Sequence, residues 1–218
     1  MGLSAVPTDH PRFLGMQGMH GHYTSSMSQN ASDLIFAIGV RFSDRTTGDI
    51  KNYSKNAKII QLDGDIAEIN KNVPVDVGIV GDITAALLKI TELCEEKKHP
   101  KWKKKIEAYR EQGRAIGAEM EKNAGETLTP KKIFDVINSL KNDNTPLVTD
   151  VGQHQMWTAQ YARFEKPRRL ATSGGLGTMG YGMGAAIGAY IAEGERPVLI
   201  TGDGSFGMNL NELATAVS

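Results

Sequence analysis

The chain is poor in cysteine, has no excess of either charge and contains no long apolar run. Its one cysteine, Cys94, excludes an internal disulfide and a cysteine-based metal cluster, and favours a cytoplasmic, reducing environment. Basic and acidic residues both number 25, so the net charge favours neither nucleic acid nor an anionic membrane as a partner. No stretch reaches about 18 apolar residues and residues 1–11 show no signal-peptide pattern, so we expect neither a membrane span nor secretion.

The chain does have enough apolar sequence for a sizeable core, since 40% of its 218 residues are hydrophobic. Short apolar runs at residues 34–38, 58–62 and 77–80 are typical of strands buried on both faces, and apolar residues at helical spacing follow from Ile83 to Cys94. Strands that alternate with helices predict a parallel α/β sheet, whose ligands bind beside the carboxyl ends of the strands.

A second α/β unit is predicted after a change of composition. Residues 95–126 are rich in Lys and Glu and predict a connecting helix on the surface. Thr129 and Pro130 then mark a helix start, and apolar runs at residues 146–150 and 198–201 predict further strands. The predicted fold class is therefore α/β, with two parallel-sheet, three-layer units. We place the first domain, the connecting helix and the second domain at residues 1–98, 99–126 and 127–218.

The last predicted strand runs directly into residues 202–205 (Gly-Asp-Gly-Ser), which we call the metal turn. Gly202 and Gly204 let the backbone approach a ligand closely, so their amides can face phosphate oxygens. Asp203 adds a hard carboxylate ligand of the kind that joins Mg²⁺ to a diphosphate. Gly-Asp-Gly also forms ordinary turns, so these three residues alone leave a structural turn and a metal site open.

Two other segments carry ligand-binding patterns. Residues 152–157 (Gly-Gln-His-Gln-Met-Trp) follow a predicted strand and offer directional hydrogen bonds where α/β proteins bind ligands. His154 has no carboxylate partner that the sequence identifies, which favours a structural role over that of a general base. Residues 173–182, the glycine-rich run, let backbone groups approach a cofactor, while the embedded Leu176 and Met179 predict packed contacts.

The first half of the chain carries glycines and charged residues at its predicted strand ends. They lie at residues 18–21 (Gly-Met-His-Gly), 39–45 (Gly-Val-Arg-Phe-Ser-Asp-Arg), 63–65 (Asp-Gly-Asp) and 81–83 (Gly-Asp-Ile). At such positions a carboxylate can accept from a ribose hydroxyl and an arginine can meet a diphosphate. These residues alone leave a nucleotide site and a purely structural sheet as alternatives.

Together these motifs resemble the large subunits of acetohydroxyacid synthases, also called acetolactate synthases, which are thiamine-diphosphate enzymes. The pairing of residues 152–157 with the glycine-rich run is the most specific part of the resemblance. The metal turn with residues 211–213 (Asn-Glu-Leu) resembles the first half of the thiamine-diphosphate motif. The resemblance implies a DHS-like, FAD-binding middle domain at residues 1–98 and the first half of a thiamine-diphosphate-binding domain at 127–218. Residues 61–65 depart from the family's usual Ile-Asp-Pro, which weakens the case for the adenosine contacts.

The resemblance also implies thiamine diphosphate, Mg²⁺ and FAD as cofactors and assigns residues to each. Met179 is expected to lie under the thiamine cofactor and hold it bent, and Met179 and Gln153 are the expected catalytic residues. Asp203 is the expected metal ligand. The expected thiamine-diphosphate contacts are Gly152, Gln153, His154, Met156, Gly177, Met179, Gly202, Gly204 and Ser205. The expected FAD contacts are Met19, His20, Gly39, Arg41, Asp63, Asp82 and Ile83.

For function, the resemblance implies decarboxylation of pyruvate and its condensation with a second 2-oxo acid, in branched-chain amino-acid biosynthesis. It implies a homodimer or homotetramer and a regulatory small subunit as a partner. Other FAD-containing thiamine enzymes, of the pyruvate oxidase or glyoxylate carboligase type, and a non-catalytic nucleotide-binding module stay open as alternatives. In the family an asparagine pair completes the metal motif and a glutamate on a pyrimidine-binding domain activates the cofactor. No residue of this sequence matches either, so we expect the 218-residue chain alone to be inactive.

Overall fold

The computed structural model describes residues 2–218, which form two compact units. The first unit comprises Gln17–Met19 and Tyr23–Gly117. The second unit comprises the residues up to Met16, His20–His22 and Ala118–Ser218. Most of the first 22 residues therefore pack with the second half of the chain. Contact units and sequence domains divide a chain by different criteria, so the domain bounds given above stay a prediction.

The first unit contains one three-stranded parallel sheet in the order β1-β2-β3. Its strands are β1 (Leu34–Ile38), β2 (Lys58–Asp63) and β3 (Val77–Val80). Its helices are α1 (Tyr23–Asn30), α2 (Asp44–Thr47), α3 (Ile83–Leu93) and most of α4 (Pro100–Ala124), with 3₁₀ turns at Ile50–Asn52 and Ile66–Glu68. Ala37, Phe42, Ile59 and Val73 form its buried apolar core.

The second unit contains another three-stranded parallel sheet, in the order β5-β4-β6. Its strands are β4 (Leu147–Thr149), β5 (Leu170–Thr172) and β6 (Val198–Ile200). Its helices are α5 (Pro130–Leu140), α6 (Gln153–Tyr161), α7 (Tyr181–Glu193), α8 (Asp203–Met208) and α9 (Leu213–Val217), with a 3₁₀ turn at Leu210–Glu212. The two parallel sheets with their helices confirm the predicted α/β fold class.

The helix starts that the sequence indicated are built as their capping chemistry requires. The Thr129 hydroxyl accepts a hydrogen bond from the Lys132 amide at 3.3 Å, and Pro130 occupies the first turn of α5, where its missing amide hydrogen is not needed. The Asp82 carboxylate caps α3 by accepting from the Ala85 amide at 2.7 Å. These caps confirm the helix starts that the sequence indicated, at Pro130 from its capping residues and at Ile83 from apolar spacing.

Two features of the fold differ from the sequence expectation or go beyond it. In α4, apolar residues recur at helical spacing, but Trp102 and Ile106 are half-buried while Ile116 and Met120 are exposed, so α4 packs only along its first turns. The strand β5 was not predicted, because three residues beside Arg169 are too short a run to stand out. Within residues 2–218, no helix is both long and apolar enough to cross a bilayer.

Candidate thiamine-diphosphate site

The second unit gathers its candidate residues at one edge of its sheet. Asp150 follows the central strand β4, and Gly202 follows β6 after one further residue. The two strands are parallel and Thr149 pairs with Ile200, so Asp150 and the metal turn leave the sheet side by side at its carboxyl edge. Thr172 pairs with Thr149 on the other side, which brings the glycine-rich run to the same edge.

The metal turn forms the start of the short helix α8. Asp203 is exposed, so its carboxylate is available to a ligand, and the Phe206 amide donates to the Gly202 carbonyl at 2.9 Å. Ser205 is only 2% exposed and its hydroxyl lies 3.3 Å from the Val151 carbonyl, to which it donates. The Ser205 side chain therefore ties the turn to the neighbouring strand end and is not free to meet a phosphate.

His154 lies at the start of α6, and its ring fills the space between Gly152 and Gly202. A Cβ at Gly202 would lie 3.3 Å from its Cε1 and Nδ1, and a Cβ at Gly152 would lie 2.8 Å from its Cε1. Its Nε2 is buried and has no hydrogen-bond partner. Burial lowers the pKa of His154 below its ordinary value, against an opposing effect of the Asp150 charge and a hydrogen bond to the Asp150 backbone. Burial thus favours the neutral imidazole, whose Cε1 and Nδ1 pack against both glycines.

The glycine-rich run places Met179 against the metal turn. A Cβ at Gly204 would lie 3.3 Å from the Met179 Cε, so the thioether side chain touches the position next to Asp203. The location of Met179 near the strand ends agrees with the sequence expectation, but it remains 43% exposed. The packed contact expected for Leu176 was wrong, since that side chain is 93% exposed. Gly177 and Gly180 have φ angles of 66° and 84°, a left-handed conformation that glycine adopts without strain.

A buried polar network lies beneath this edge of the sheet. The Gln155 amide donates to the Thr172 hydroxyl at 2.8 Å, and the Thr149 hydroxyl donates to the same oxygen at 2.7 Å. The Gln155 Oε1 lies 3.3 Å from the His20 Nε2. His20 was expected at the FAD site, and by its contacts it belongs to the second unit and meets Gln155 there.

The remaining residues expected to bind thiamine diphosphate differ in how far their side chains are exposed. Gln153 and Gly152 are exposed at the first turn of α6, and Gly177 is exposed in the glycine-rich run. Met156 is half-buried on α6. Gln153 therefore reaches solvent at the carboxyl edge of the sheet, where a ligand could meet it, while Met156 also contributes to packing.

In the first unit, the expected FAD residues lie at the carboxyl edge of the other sheet. Gly39, Asp63 and Gly81 follow β1, β2 and β3 directly or end them, and all three strands are parallel. Arg41 is exposed in the loop after β1, whose position is set by Asn72 donating to the Arg41 carbonyl at 2.9 Å. The structure thus brings the Arg41 loop and the start of α3 to one edge, as predicted.

The other expected FAD residues are less uniform. Asp82 is exposed but its carboxylate is already engaged as the cap of α3, and Ile83 is half-buried behind it. The Asp63 carboxylate accepts from the Asp65 amide at 3.0 Å. Met19 is 52% exposed. Asp63 and Asp82 therefore each use one carboxylate oxygen, Oδ1, in a local hydrogen bond, and Arg41 is exposed.

The donor set of the second unit fits a metal that is held together with phosphate. Residues 2–218 contain no group of three or more His, Cys, Asp or Glu side chains that could hold a metal by themselves. Asp203 is a single exposed carboxylate, and Mg²⁺ is usually bound through one or two carboxylates with water and substrate phosphates. The His154 ring packs against Gly202 through Cε1 and Nδ1 and so helps to set the shape of the metal turn.

Asp150 was not among the site residues expected from the sequence, and Gln155 was included only as part of residues 152–157. Asp150 is 1% exposed and Gln155 is 9% exposed, and both hold the carboxyl edge together through hydrogen bonds. The position of Asp150 directly after an apolar run was a usable signal, because a charged residue at that point of a parallel sheet must find buried partners.

Comparison with known proteins identifies relatives for the whole chain. A model of the thiamine pyrophosphate enzyme central domain matches residues 1–90, and a model of the C-terminal TPP-binding domain matches residues 150–218. The acetolactate synthase isozyme 3 large subunit of Escherichia coli (strain K12) is 42% identical over 100% of this chain and 38% of its own length. The acetolactate synthase large subunit of Buchnera aphidicola subsp. Schizaphis graminum is 43% identical over 99% of this chain and 38% of its own length.

A plant relative gives a similar result. Acetolactate synthase 1, chloroplastic, of Nicotiana tabacum is 43% identical over 99% of this chain and 33% of its own length. The chain therefore spans between one third and two fifths of the relatives that it matches.

Proposed function

Because the chain belongs to the thiamine pyrophosphate enzymes, we propose that it forms the cofactor-binding part of an acetolactate synthase large subunit. The proposed reaction is the decarboxylation of pyruvate and its condensation with a second 2-oxo acid, which gives acetolactate or acetohydroxybutyrate. The relatives named acetolactate synthase support this assignment over an oxidase or a non-catalytic module, since they match the chain over 99–100% of its length.

The observation that carries the proposal is the arrangement at the carboxyl edge of the second sheet. Asp203 is exposed between two glycines, the His154 ring lies against Gly202 and the Met179 methyl group lies against Gly204. We assign Asp203 to Mg²⁺ and the amides of the metal turn to the diphosphate, with the His154 ring packed behind the turn. Bound thiamine diphosphate would supply the carbanion chemistry that amino-acid side chains lack.

Met179 is proposed to support the cofactor from the side of the metal turn. Its long, flexible thioether can fill an irregular surface, and its partial exposure leaves one face for a ligand. Gln153, exposed on the first turn of α6, is proposed to donate hydrogen bonds at the same edge. Neither residue carries a charge, so their proposed roles are to orient the cofactor and to exclude water from it.

In the first unit we propose an FAD site at the carboxyl edge of β1, β2 and β3. An arginine and a carboxylate at neighbouring strand ends suit a diphosphate and a ribose hydroxyl, and Arg41 and Asp63 supply them. A homo-oligomer and a small regulatory subunit are the proposed partners, which the name "large subunit" of two relatives supports.

The experiment that tests the proposal is Mg²⁺-dependent binding of thiamine diphosphate by the complete enzyme subunit that contains this segment. Asp203→Ala is expected to weaken apparent Mg²⁺ affinity by at least about tenfold, because even outer-shell residues of metal sites typically contribute about 10–100-fold. Asp143→Ala is the matched control. It removes an exposed aspartate of the same unit that precedes β4 and so lies at the opposite edge of the sheet.

The result that would overturn the metal assignment is equal Mg²⁺ affinity in the Asp203→Ala and Asp143→Ala variants. If a subunit binds thiamine diphosphate but forms no acetolactate from pyruvate, the proposed cofactor site stands and the proposed reaction is refuted. For the flavin, Arg41→Met should weaken retention of FAD, measured by flavin fluorescence. Arg114→Met, which removes an exposed arginine from α4, should not.

A further inference from the structure

Asp150 is a buried carboxylate that touches two separate parts of the candidate site. It is 1% exposed and follows the central strand β4. Its Oδ1 accepts a hydrogen bond from the Gly182 amide at 3.1 Å, and its Oδ2 accepts from the Thr201 hydroxyl at 3.0 Å. Gly182 lies in the first turn of α7 and Thr201 immediately precedes the metal turn, so one side chain joins the two segments.

The contact between Asp150 and the start of α7 explains how the buried negative charge of Asp150 is tolerated. The cap residue of α7 is Gly180, which has no side chain to accept from the first-turn amides. The Asp150 carboxylate replaces that cap from a neighbouring strand, and the positive end of the helix dipole favours its negative charge. The fit is close, because a Cβ at Gly182 would lie 2.5 Å from Oδ2.

The Thr201 end connects the carboxylate to the metal turn. The Thr201 hydroxyl also lies 3.2 Å from the Gly202 carbonyl, and the Asp150 amide donates to the Ile200 carbonyl at 3.1 Å. Backbone and side chain of Asp150 therefore hold both residues that lead into the turn. A shift of Thr201 would displace Gly202 and, with it, the direction of the Asp203 carboxylate.

We propose that Asp150 is a positioning residue that acts on the metal turn through Thr201, and that the two residues work as a coupled pair. Asp150 does not touch the metal or the diphosphate. It fixes the metal turn relative to the start of α7, so that Asp203 and the turn amides meet their ligands in one geometry. This inference rests on the proposed function of the metal turn.

The test uses substitutions at Thr201 in the complete enzyme subunit, with Mg²⁺ and thiamine diphosphate as probes. Thr201→Val keeps the shape of the side chain but leaves Oδ2 of Asp150 without a partner. We expect apparent Mg²⁺ affinity to fall by about tenfold or more, since a hydrogen bond to a charged group typically contributes at least that factor. Thr201→Ser restores the hydroxyl and should recover affinity to within about threefold of the unmodified enzyme, within the spread of such contributions.

Thr149→Val is the matched control for stability. It removes the hydroxyl of a buried threonine in β4, which donates to Thr172 and does not contact the metal turn. Both valine variants should lower thermal stability. Only Thr201→Val should also lower Mg²⁺ affinity and speed amide hydrogen exchange at residues 202–206. The KM for pyruvate should be unchanged in Thr201→Val. Equal effects of the two variants on Mg²⁺ affinity would overturn the positioning role.

The coupling is tested by a double-mutant cycle with Asp150→Ala. If the residues act as a pair, Asp150→Ala with Thr201→Val should weaken Mg²⁺ binding much less than the product of the two single effects. Independent, multiplicative effects would refute the coupling. Failure of the unmodified subunit to bind thiamine diphosphate with Mg²⁺ would refute the proposed function itself, whereas normal binding that is insensitive to Thr201→Val would refute only this inference.

Discussion

Gly182 offers a test of the packing at the candidate site that does not depend on any ligand. A Cβ at this position would lie 2.5 Å from the Asp150 Oδ2 and 2.7 Å from the Leu199 Cδ1. Gly184 lies in the same helix, α7, and a Cβ there would meet nothing within 4 Å. Gly182→Ala and Gly184→Ala therefore add the same methyl group to the same helix. At Gly182 the methyl group would clash with neighbouring atoms, and at Gly184 it would meet none.

The expected difference in stability follows from two effects. Replacing glycine by alanine inside a helix stabilises it by about 0.5–1 kcal/mol, and this applies to both variants. Overpacking typically costs about 1–3 kcal/mol and applies only to Gly182→Ala. The difference between the variants cancels the first effect, so Gly182→Ala should be less stable than Gly184→Ala by about 1–3 kcal/mol, or roughly 2–12 °C in Tm.

The assay must follow the second unit alone. The chain has two tryptophans, and Trp157 lies in the second unit while Trp102 lies in the first. Urea unfolding monitored by Trp157 fluorescence, in a Trp102→Phe background, reports the unit that contains Gly182. Equal unfolding midpoints for the two alanine variants would show that Asp150 and Leu199 move aside without cost, and would refute the close packing around Gly182.

The remaining predictions concern chemistry and pH. Met179→Ala in the complete enzyme should lower turnover more than Mg²⁺ affinity, because it removes the support and leaves Asp203; equal losses would assign Met179 to packing alone. The purified 218-residue chain should form no acetolactate with thiamine diphosphate, Mg²⁺, FAD and pyruvate, and detectable product would contradict this. Burial lowers the pKa of His22 below its ordinary value of 6.5, so the folded state favours the neutral ring. The contribution of His22 to the free energy of unfolding should be full above about pH 6.5 and fall as the pH drops through the lowered pKa. If a His22→Gln variant shows the same decline of its urea midpoint with falling pH as the unmodified chain, this prediction is refuted.

Most of the sheet of the first unit was predictable because short apolar runs are typical of strands in a parallel sheet. The expected burial on both faces was wrong for β1 and β3, in which most residues are exposed. β1, β2 and β3 appear as continuous apolar runs that end at glycine or aspartate, and the structure confirms all three. The start of α6 was not predictable in this way. Gln153, His154 and Gln155 show no apolar spacing, and the helix begins there because Gly152 ends the preceding loop and later residues pack against the sheet.

The candidate site was partly predictable for a related reason. Residues that follow parallel strands lie at the same edge of a sheet, so the sequence is enough to place Asp203 and His154 at one edge. Their close approach also requires β4 and β6 to be neighbours, which the order of the strands along the chain does not determine. The inward direction of the Ser205 hydroxyl could not be predicted, because a serine in a turn has several local and long-range partners available. The same limit applies to His20, whose hydrogen bond to Gln155 spans 135 residues of sequence.

Asp150 shows why residues that position a binding site are not found by searching the sequence for motifs. A motif marks side chains that meet the ligand, and their spacing is fixed by the ligand's shape. The partners of Asp150 are 32 and 51 residues away, and they become neighbours only because β4 is the central strand of the sheet. Any sequence with the same strands in another order would separate them, so the strand order and the buried carboxylate together define this part of the site.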